Sequence, residues 1–384
     1  MRIVYLTILL SFLALSDSKG QSALEESLVG YYPLDGHAKD QSGNCNHGVI
    51  HGAVSSPGIA GKTSSALTFD GLNDYVEIPH SALLDFDEES DFAVSFWVKL
   101  AENQADLDTT DNDILSKWVI DDASMSHMAS GYPFTFRVIN QKSNKRGRMI
   151  AAQFGGYKEG CHDGTNLGAD VVPGRYQHIL FNSRAGKFYL YVDGKLVKRA
   201  GSSVFCVASN QAPLRIGKRG GSEFQNHFKG SVDELALFNA ALSKEDIAIL
   251  ADPGFRPSRD VDLIAESSEL IQSDTLFFDD NIFELKGAQK IDLSFFYKHL
   301  ESGAQYHLVI EGHSNGLPDH DFCDALSLKR AQVVEDYLLG LGIACTKITT
   351  RGLGKRHQIS PNSTPVLRKR NQRAEVKLYR ISRA

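Results

Sequence analysis

Between residues 23 and 251, apolar and polar positions alternate over short runs. Phe92, Val94, Phe96, Val98 and Leu100 are interleaved with Ala93, Ser95, Trp97 and Lys99, the period of two expected for a strand with one buried face. Residues 188–192, the pair Asp193-Gly194 and residues 195–197 spell a hairpin closed by a type I′ turn. The same pattern predicts strands at 65–69, 75–78, 114–118, 134–139, 149–154, 176–182, 214–218 and 230–238. Many short strands with few helices imply an all-β sandwich.

The pattern changes after Pro253, Gly254 and Pro257, which punctuate a polar linker. A strand at 275–279 leads into a segment whose Ala288, Ile291, Leu293, Phe295, Phe296 and Leu300 suit one face of a helix. A strand at 305–312 follows. The next helix is predicted over 324–339, with Leu326, Val333, Val334, Tyr337, Leu338 and Leu341 at helical spacing and Gly340 as its C-terminal cap. Strands at 347–351 and 373–379 complete a βαβαββ order, with helices packed on one sheet. At the other end of the chain, Arg2 precedes an apolar run over 3–15, and small residues follow at Ser16, Ser18 and Gly20. This is the pattern of a secretory signal peptide, too short to span a membrane. The expected division is a signal peptide at 1–20, a β-sandwich at 23–251, a linker at 252–265 and an α/β domain at 266–384. The first cysteine is Cys45, so the expected product is exported and soluble, with no lipid anchor.

Composition fits two folded domains, with 384 residues, 42% hydrophobic and 23% charged. A net charge of −6 argues against a general polyanion or nucleic-acid binder. The charge is uneven: residues 346–384 hold eleven Lys/Arg and one acid, Glu375, either a solvated face or an attraction for an anionic polymer. Among five cysteines, Cys161 and Cys206 share the β-rich region and form the candidate disulfide. Cys323 and Cys345 flank a helix of about 24 Å, beyond the roughly 7 Å that a disulfide tolerates. Both are expected to be unpaired. No Cys/His spacing suggests zinc.

Three short motifs stand in order: Gly312-His313-Ser314-Asn315, then Leu326-Ser327-Leu328-Lys329-Arg330-Ala331, then Asn371-Gln372-Arg373-Ala374-Glu375-Val376. They resemble the OmpA-like peptidoglycan-binding domain, whose pattern is GHTD, N-x-x-LS-x-x-RA and NRRV; residues 275–286 resemble its opening YFDFDSxxL. The resemblance implies an α/β sandwich in which the aspartate of GHTD and the arginine of LSxxRA hold the amino-acid end of diaminopimelate in the peptidoglycan stem peptide. The corresponding residues are Asn315 and Arg330, with Ser314, Asn371 and Arg373 as further candidate ligand contacts and Thr364 and Arg368 as the polar pair before the last motif. Arginine suits this task because its fork can take a carboxylate in two hydrogen bonds. Asn315 lacks the charge of the family aspartate, Gln372 replaces the first arginine of NRRV, and Cys323 replaces an asparagine. Asp319 and Asp321 in the intervening loop are candidates to restore the lost charge.

A second resemblance lies in residues 28–34 (LVGYYPL), 40–48 (DQSGNCNHG), 66–78 (ALTFDGLNDYVEI) and 230–247 (GSVDELALFNAALSKEDI). These are similar to the concanavalin-A-like/laminin-G-like jelly roll, with Cys45 where that family usually has glycine. The resemblance implies a module that binds glycan or protein and admits calcium at loop carboxylates, for which Asp40, Asp70, Asp74 and Asp233 are the candidates; such residues also build turns. Asp106, Asp108, Asp111 and Asp113 read as a solvated acidic loop, lacking the glycine and glutamate of an EF-hand. No pair of carboxylates has the spacing of a glycosidase. Glu88, Glu89 and Asp91 precede a strand, Asp233 and Glu234 are adjacent and so expected on opposite faces, and His162, Asp163 and His178 have no nucleophile beside them. The chain thus reads as a non-catalytic envelope protein of the periplasm, needing no cofactor apart from a candidate calcium ion. It is held by peptidoglycan near the outer membrane and displays its jelly roll to a glycan or envelope protein. The alternatives are a wall-tethered carbohydrate-active enzyme and a structural or motor-associated wall protein.

Overall fold

A computed structural model describes residues 24–381 apart from 60, 62–64, 87–89, 103–110, 118–130, 140–148, 157–164, 202–209, 221–226, 258–267, 316–319 and most of 288–305. The chain forms two compact units, one of residues 1–42 and 46–258, the other of 43–45 and 259–384.

In the first unit an eight-stranded and a seven-stranded sheet enclose one apolar core. The long Phe92–Leu100 strand pairs with Tyr176–Arg184 on one side and Lys229–Phe238 on the other. Phe92, Val94, Phe96, Val98 and Leu100 enter that core, against Phe134, Phe136 and Val138 of the other sheet. Phe96 meets Phe136 edge to face at 5.0 Å. The opposite face is also covered: Ala93, Leu180, Ala236 and Phe238 pack beneath the Lys244–Leu250 helix in a second core. That helix starts at a capping box, Ser243 with Asp246, a signal of S-x-x-D type legible in the sequence. The turn at Asp193-Gly194 has φ 48° and 72°, as a type I′ hairpin requires. Sequence periodicity gives no sign of the short strands Val49–His51, Val54–Ser56 and Thr165–Asp170.

Two expectations about carboxylates are corrected. Asp233 and Glu234 do not point to opposite faces in simple alternation. The strand is bulged between Asp233 and Ala236, Glu234 has φ 50°, and both residues are buried. Asp113 does not belong to a solvated loop. It lies in the Asp111–Ser116 strand, fully buried, where Arg219 grips it with two hydrogen bonds of 3.0 and 2.9 Å.

The second unit is a four-stranded sheet ordered Ser268–Phe277, Arg373–Ile381, Tyr306–Gly312, Ile348–Gly352. The first two pairings are antiparallel and the last is parallel. Leu308, Ile310, Ala374, Val376 and Leu378 face the His320–Gly340 helix, which contributes Ala331, Val334 and Leu338 to the core. Leu293 and Phe296 are buried there as expected; the other apolar positions predicted between 288 and 300 lie outside the described residues. The His320–Gly340 helix starts four residues before the sequence prediction. The Pro365–Asn371 helix was not predicted at all, although Thr364 caps it and Pro365 occupies its first turn.

The cysteine expectations are also corrected. Cys345 is not free: it is bonded to Cys45, with Cα atoms 5.9 Å apart, and Gly43–Cys45 is grouped with the C-terminal unit. Proximity in sequence drew attention to Cys323, but the partner lies 300 positions away. Cys323 is a buried free thiol. Cys45 has φ 67°, so it holds the left-handed conformation for which glycine is the usual choice. Cys161 and Cys206 lie outside the described residues.

Candidate functional site

The C-terminal motifs converge at the end of the Tyr306–Gly312 strand. Gly312 is there because strand and helix touch backbone to backbone: a Cβ on Gly312 would lie 1.8 Å from the carbonyl oxygen of Ser327. Gly352 on the neighbouring strand is held by the same contact, with a built Cβ 2.7 Å from the Leu328 nitrogen. The Ser327 hydroxyl donates to the Asp324 carbonyl at 2.8 Å and accepts from the Gly354 N–H at 2.9 Å, tying the following loop to the helix. Glycine and serine of the motifs therefore build the platform on which the arginine stands.

Arg330 is fully buried. Its Nε donates to the Ile282 carbonyl (3.1 Å), Nη1 to the His313 carbonyl (3.0 Å), and Nη2 to the Asp279 carbonyl (3.2 Å) and Gln372 Oε1 (2.7 Å). This corrects the expectation of an open fork. Four of five guanidinium N–H groups are already spent on neutral oxygens. No described carboxylate forms an ion pair with it. Burial pushes its pKa down to about 10, partly offset by Asp280. Asp280 is reached only through Gln372, whose Nε2 donates to its carboxylate. The arginine thus draws together the 279–282 loop, the His313 turn and the start of the last strand, and among the described residues no carboxylate compensates its charge at contact distance.

The other predicted site residues separate into two groups. Asn371 is completely buried and fully used: its Oδ1 accepts from the Ile359 and Ser360 N–H groups, and its Nδ2 donates to the Ser360 carbonyl and Asn362 Oδ1. It clamps the 357–362 loop and has no donor or acceptor left for a ligand, which corrects its assignment as a contact. Arg373 binds Glu375 and the His357 carbonyl, and keeps Nη1 buried without a partner. Ser314 is buried with an unpartnered hydroxyl, and Asn315 is half-buried where the chain leaves the strand. Asp319 lies outside the described residues; Asp321 falls in the first turn of the helix, and its side chain lies outside them too. Thr364 and Arg368 serve the local fold, as a helix cap and as a donor to the Asn362 carbonyl.

His313 was missed as a chemical group, although it lies in the first motif. Its ring is buried with both nitrogens unpartnered. Burial, then Arg373, hold its pKa down at about 4, so the imidazole is neutral. It lies 3.7 Å from Glu375 on a sheet face where Arg351, Glu311, Lys377, Glu375 and Arg373 form a chain of ion pairs. Glu311, His313 and Glu375 bring one ligand atom each within 4.8 Å, the spacing of a metal site, but three cations already occupy the two carboxylates. Alternation at 373, 375 and 377 was the available signal for this face.

In the sandwich, the four calcium candidates do not converge. No three of them lie among the described groups with metal-ligand spacing. Asp40 accepts from the N–H groups of Tyr31, Ser42 and Asn46, Asp70 from those of Leu72 and Asn73, Asp74 from Asp70 and Asp233 from Ile59. Each shapes a turn or a strand end, which is the other reading of such residues. For the acid/base candidates, Asp91 accepts from the Ala185 N–H and His178 pairs with Ser95 at 2.8 Å without a carboxylate behind it. Glu88, Glu89, His162 and Asp163 lie outside the described residues.

The bulged carboxylates have a pH signature. Burial raises Asp233 to about 7 and Glu234 to about 8, against the opposing pull of Arg256. The folded unit thus binds these protons more tightly than the unfolded chain. The stability they give is complete below the ordinary carboxylate range and is lost as pH rises through 7 and 8. His37 (about 4) and His178 (about 3), both lowered by burial, act with the opposite sign: they cost stability as pH falls below the ordinary histidine value. The melting temperature of the sandwich is therefore expected to peak at roughly pH 6, just below the ordinary histidine value, and to fall by several degrees toward pH 8.5. Calorimetry across pH checks this; Asp233→Asn should flatten the alkaline limb.

The concanavalin A-like lectin/glucanases superfamily matches residues 69–248 and the OmpA family matches residues 277–372. The chain is similar to the putative lipoprotein YfiB of Escherichia coli (strain K12), with 31% identity over 133 residues, covering 34% of this chain and 79% of that protein. It is also similar to the peptidoglycan-binding protein ArfA of Mycobacterium tuberculosis (strain ATCC 25618 / H37Rv), with 36% identity over 69 residues, covering 18% of this chain and 21% of ArfA. Domain 4 of AbnA, an extracellular arabinanase from Geobacillus stearothermophilus, matches 59% of this chain and 98% of its own at 18% identity, with a TM-score of 0.42. With its motifs assembled around Arg330 in the unit that follows a concanavalin A-like sandwich in sequence, the chain belongs to the OmpA family.

Proposed function

We propose that this protein binds peptidoglycan through its C-terminal domain and acts as a non-catalytic component of the cell envelope. The observation that carries this reading is Arg330, a buried cation ringed by neutral oxygens with no carboxylate paired to it among the described residues. A buried charge is tolerated when something opposite completes it. An acidic ligand at the loops that Arg330 gathers would do so, taking its field and its remaining N–H. The free carboxylate of diaminopimelate in the stem peptide is such a ligand. Asn315 would accept from the neighbouring ammonium without a full charge, at roughly half the strength of a charge-assisted bond. The names of the relatives, a peptidoglycan-binding protein and a lipoprotein, support attachment to the wall. The likeness to a lipoprotein lends no support to retention without a lipid. The sandwich presents the binding surface of the protein, for a glycan or another envelope component.

The test leaves the protein intact and varies the ligand. Full-length chain should sediment with purified sacculi, and a soluble stem tripeptide with free diaminopimelate should release it. The same tripeptide amidated at the diaminopimelate carboxyl should compete at least 10-fold more weakly, about 1.4 kcal/mol. Equal competition by the two peptides would remove the proposed grip, and failure to sediment would remove wall binding.

A further inference from the structure

Five cations of the sandwich share one ribbon, and none forms an ion pair with a described residue. Arg184 ends the Tyr176–Arg184 strand, Lys187 opens Lys187–Val192, and Lys195, Lys198 and Arg199 lie on Lys195–Gly201. All five are exposed. Asp193, in the turn between the last two strands, pairs with Arg175 at 3.2 Å, and Asp91 accepts from the Ala185 N–H at 2.7 Å without an ion pair to the ribbon.

Lysines on an edge strand often serve only to block strand-to-strand association. That accounts for Lys195 and Lys198, since Lys195–Gly201 is the last strand of its sheet. It does not account for Arg184 and Lys187, whose strands are paired on both sides. These two are also direct cross-strand partners, an arrangement of like charges that weakens a sheet. Tyr189 is paired with Arg199 and is half-buried, while Tyr191 packs against the second core. Lys195 and Lys198 are partners of Val192 and Leu190, whose side chains turn to the core, so the face of Tyr189 carries Arg184, Lys187 and Arg199, one on each of three strands about 4.8 Å apart.

We propose that this ribbon binds a linear acidic polysaccharide bearing carboxylates. Three of the cations, Arg184, Lys187 and Arg199, step across adjacent strands on the face of Tyr189, which suits a polymer better than a small anion. A half-exposed tyrosine offers a ring face to sugar C–H groups and a hydroxyl to their oxygens. The positive charges are spread out, matching about one charge per sugar. Duplex nucleic acid, with about one charge per 1.7 Å, meets stronger repulsion from a chain of net charge −6. The inference rests on reading the sandwich as a binding module, and does not require that the C-terminal domain bind the wall.

The probe is soluble polygalacturonate, with neutral dextran, phosphatidylglycerol vesicles and duplex DNA for comparison, all against the full-length chain. Polygalacturonate should bind, and binding should weaken as salt rises. Lys187→Gln/Arg199→Gln should lose at least 10-fold in affinity with an unchanged melting temperature, and Tyr189→Ala should weaken binding at constant charge. The proposal is overturned by binding no better than dextran, by undiminished binding of the double variant, or by tighter binding to vesicles or DNA. Because the probe contains no stem peptide, its outcome is separable from the sacculus experiment.

Discussion

Gly312→Ala is expected to unfold the C-terminal unit while leaving the sandwich folded. The added methyl would meet the Ser327 carbonyl oxygen at 1.8 Å and its carbon at 2.6 Å. Both atoms belong to the backbone of a helix and cannot rotate away. Overfilling a core that can adjust costs about 1–3 kcal/mol. Here relief requires lifting the helix, and with it Ala331, Val334 and Leu338, off the sheet. A loss at or above the top of that range is a large share of the 5–15 kcal/mol (roughly) that holds a domain together. Calorimetry should show the transition of the C-terminal unit lowered by more than about 10 °C or absent, with the sandwich transition retained. Gly340→Ala, where a Cβ meets nothing within 4 Å, is the control and should melt close to wild type. Near-equal melting of the two variants would mean that strand and helix do not touch as described.

The second large effect is expected from Asn371→Ala. It strips the acceptor from two backbone N–H groups, Ile359 and Ser360, and the donor from the Ser360 carbonyl. Leaving a buried polar group unsatisfied costs about 1–3 kcal/mol, so the sum should reach about 3 kcal/mol or more unless water enters. Asn371→Asp would keep the acceptors and place a carboxylate against the Ser360 carbonyl and Asn362 Oδ1, so it should not rescue. Urea unfolding measures the loss. Hydrogen exchange should localise it, with protection at Ile359 and Ser360 falling before that of the sheet. If exchange there is unchanged, Asn371 does not clamp the loop.

These two residues mark how far the sequence could be read. Alternation at 92–100 and the Asp193-Gly194 turn gave the sandwich, because one-sided burial and positive φ leave direct traces in residue choice. The C-terminal motifs gave the second fold, and their order placed Gly312, Arg330 and Asn371 near one strand end. Their division of labour was not legible. A motif names the residues that a site needs, and does not say which of them touch ligand and which hold the loops. Arg330 looked like an open fork and is turned onto four oxygens of its own chain. Asp233 and Glu234 were misjudged because a bulge breaks the period of two without any sign in residue type. The Cys45–Cys345 bond joins positions that no local rule connects. The Pro365–Asn371 helix is different: Thr364 and Pro365 announced it, and an N-terminal rule applied there would have found it.

The pairing of Ser268–Phe277 with Arg373–Ile381 bears on how the protein would carry load. The chain enters the C-terminal unit along Ser268–Phe277, and the Asp279–Ile282 loop drawn in by Arg330 lies just beyond its far end. If a ligand is held through Arg330, whose helix packs on the other strands, while the chain is pulled from the start of Ser268–Phe277, the load crosses the pairing of that strand with Arg373–Ile381. Nine residue pairs then resist sliding together, in shear, whereas a strand pulled sideways would unzip pair by pair. Forced opening is governed by the unfolding barrier, so this strand direction favours an attachment that holds briefly against forces well above those its equilibrium affinity suggests.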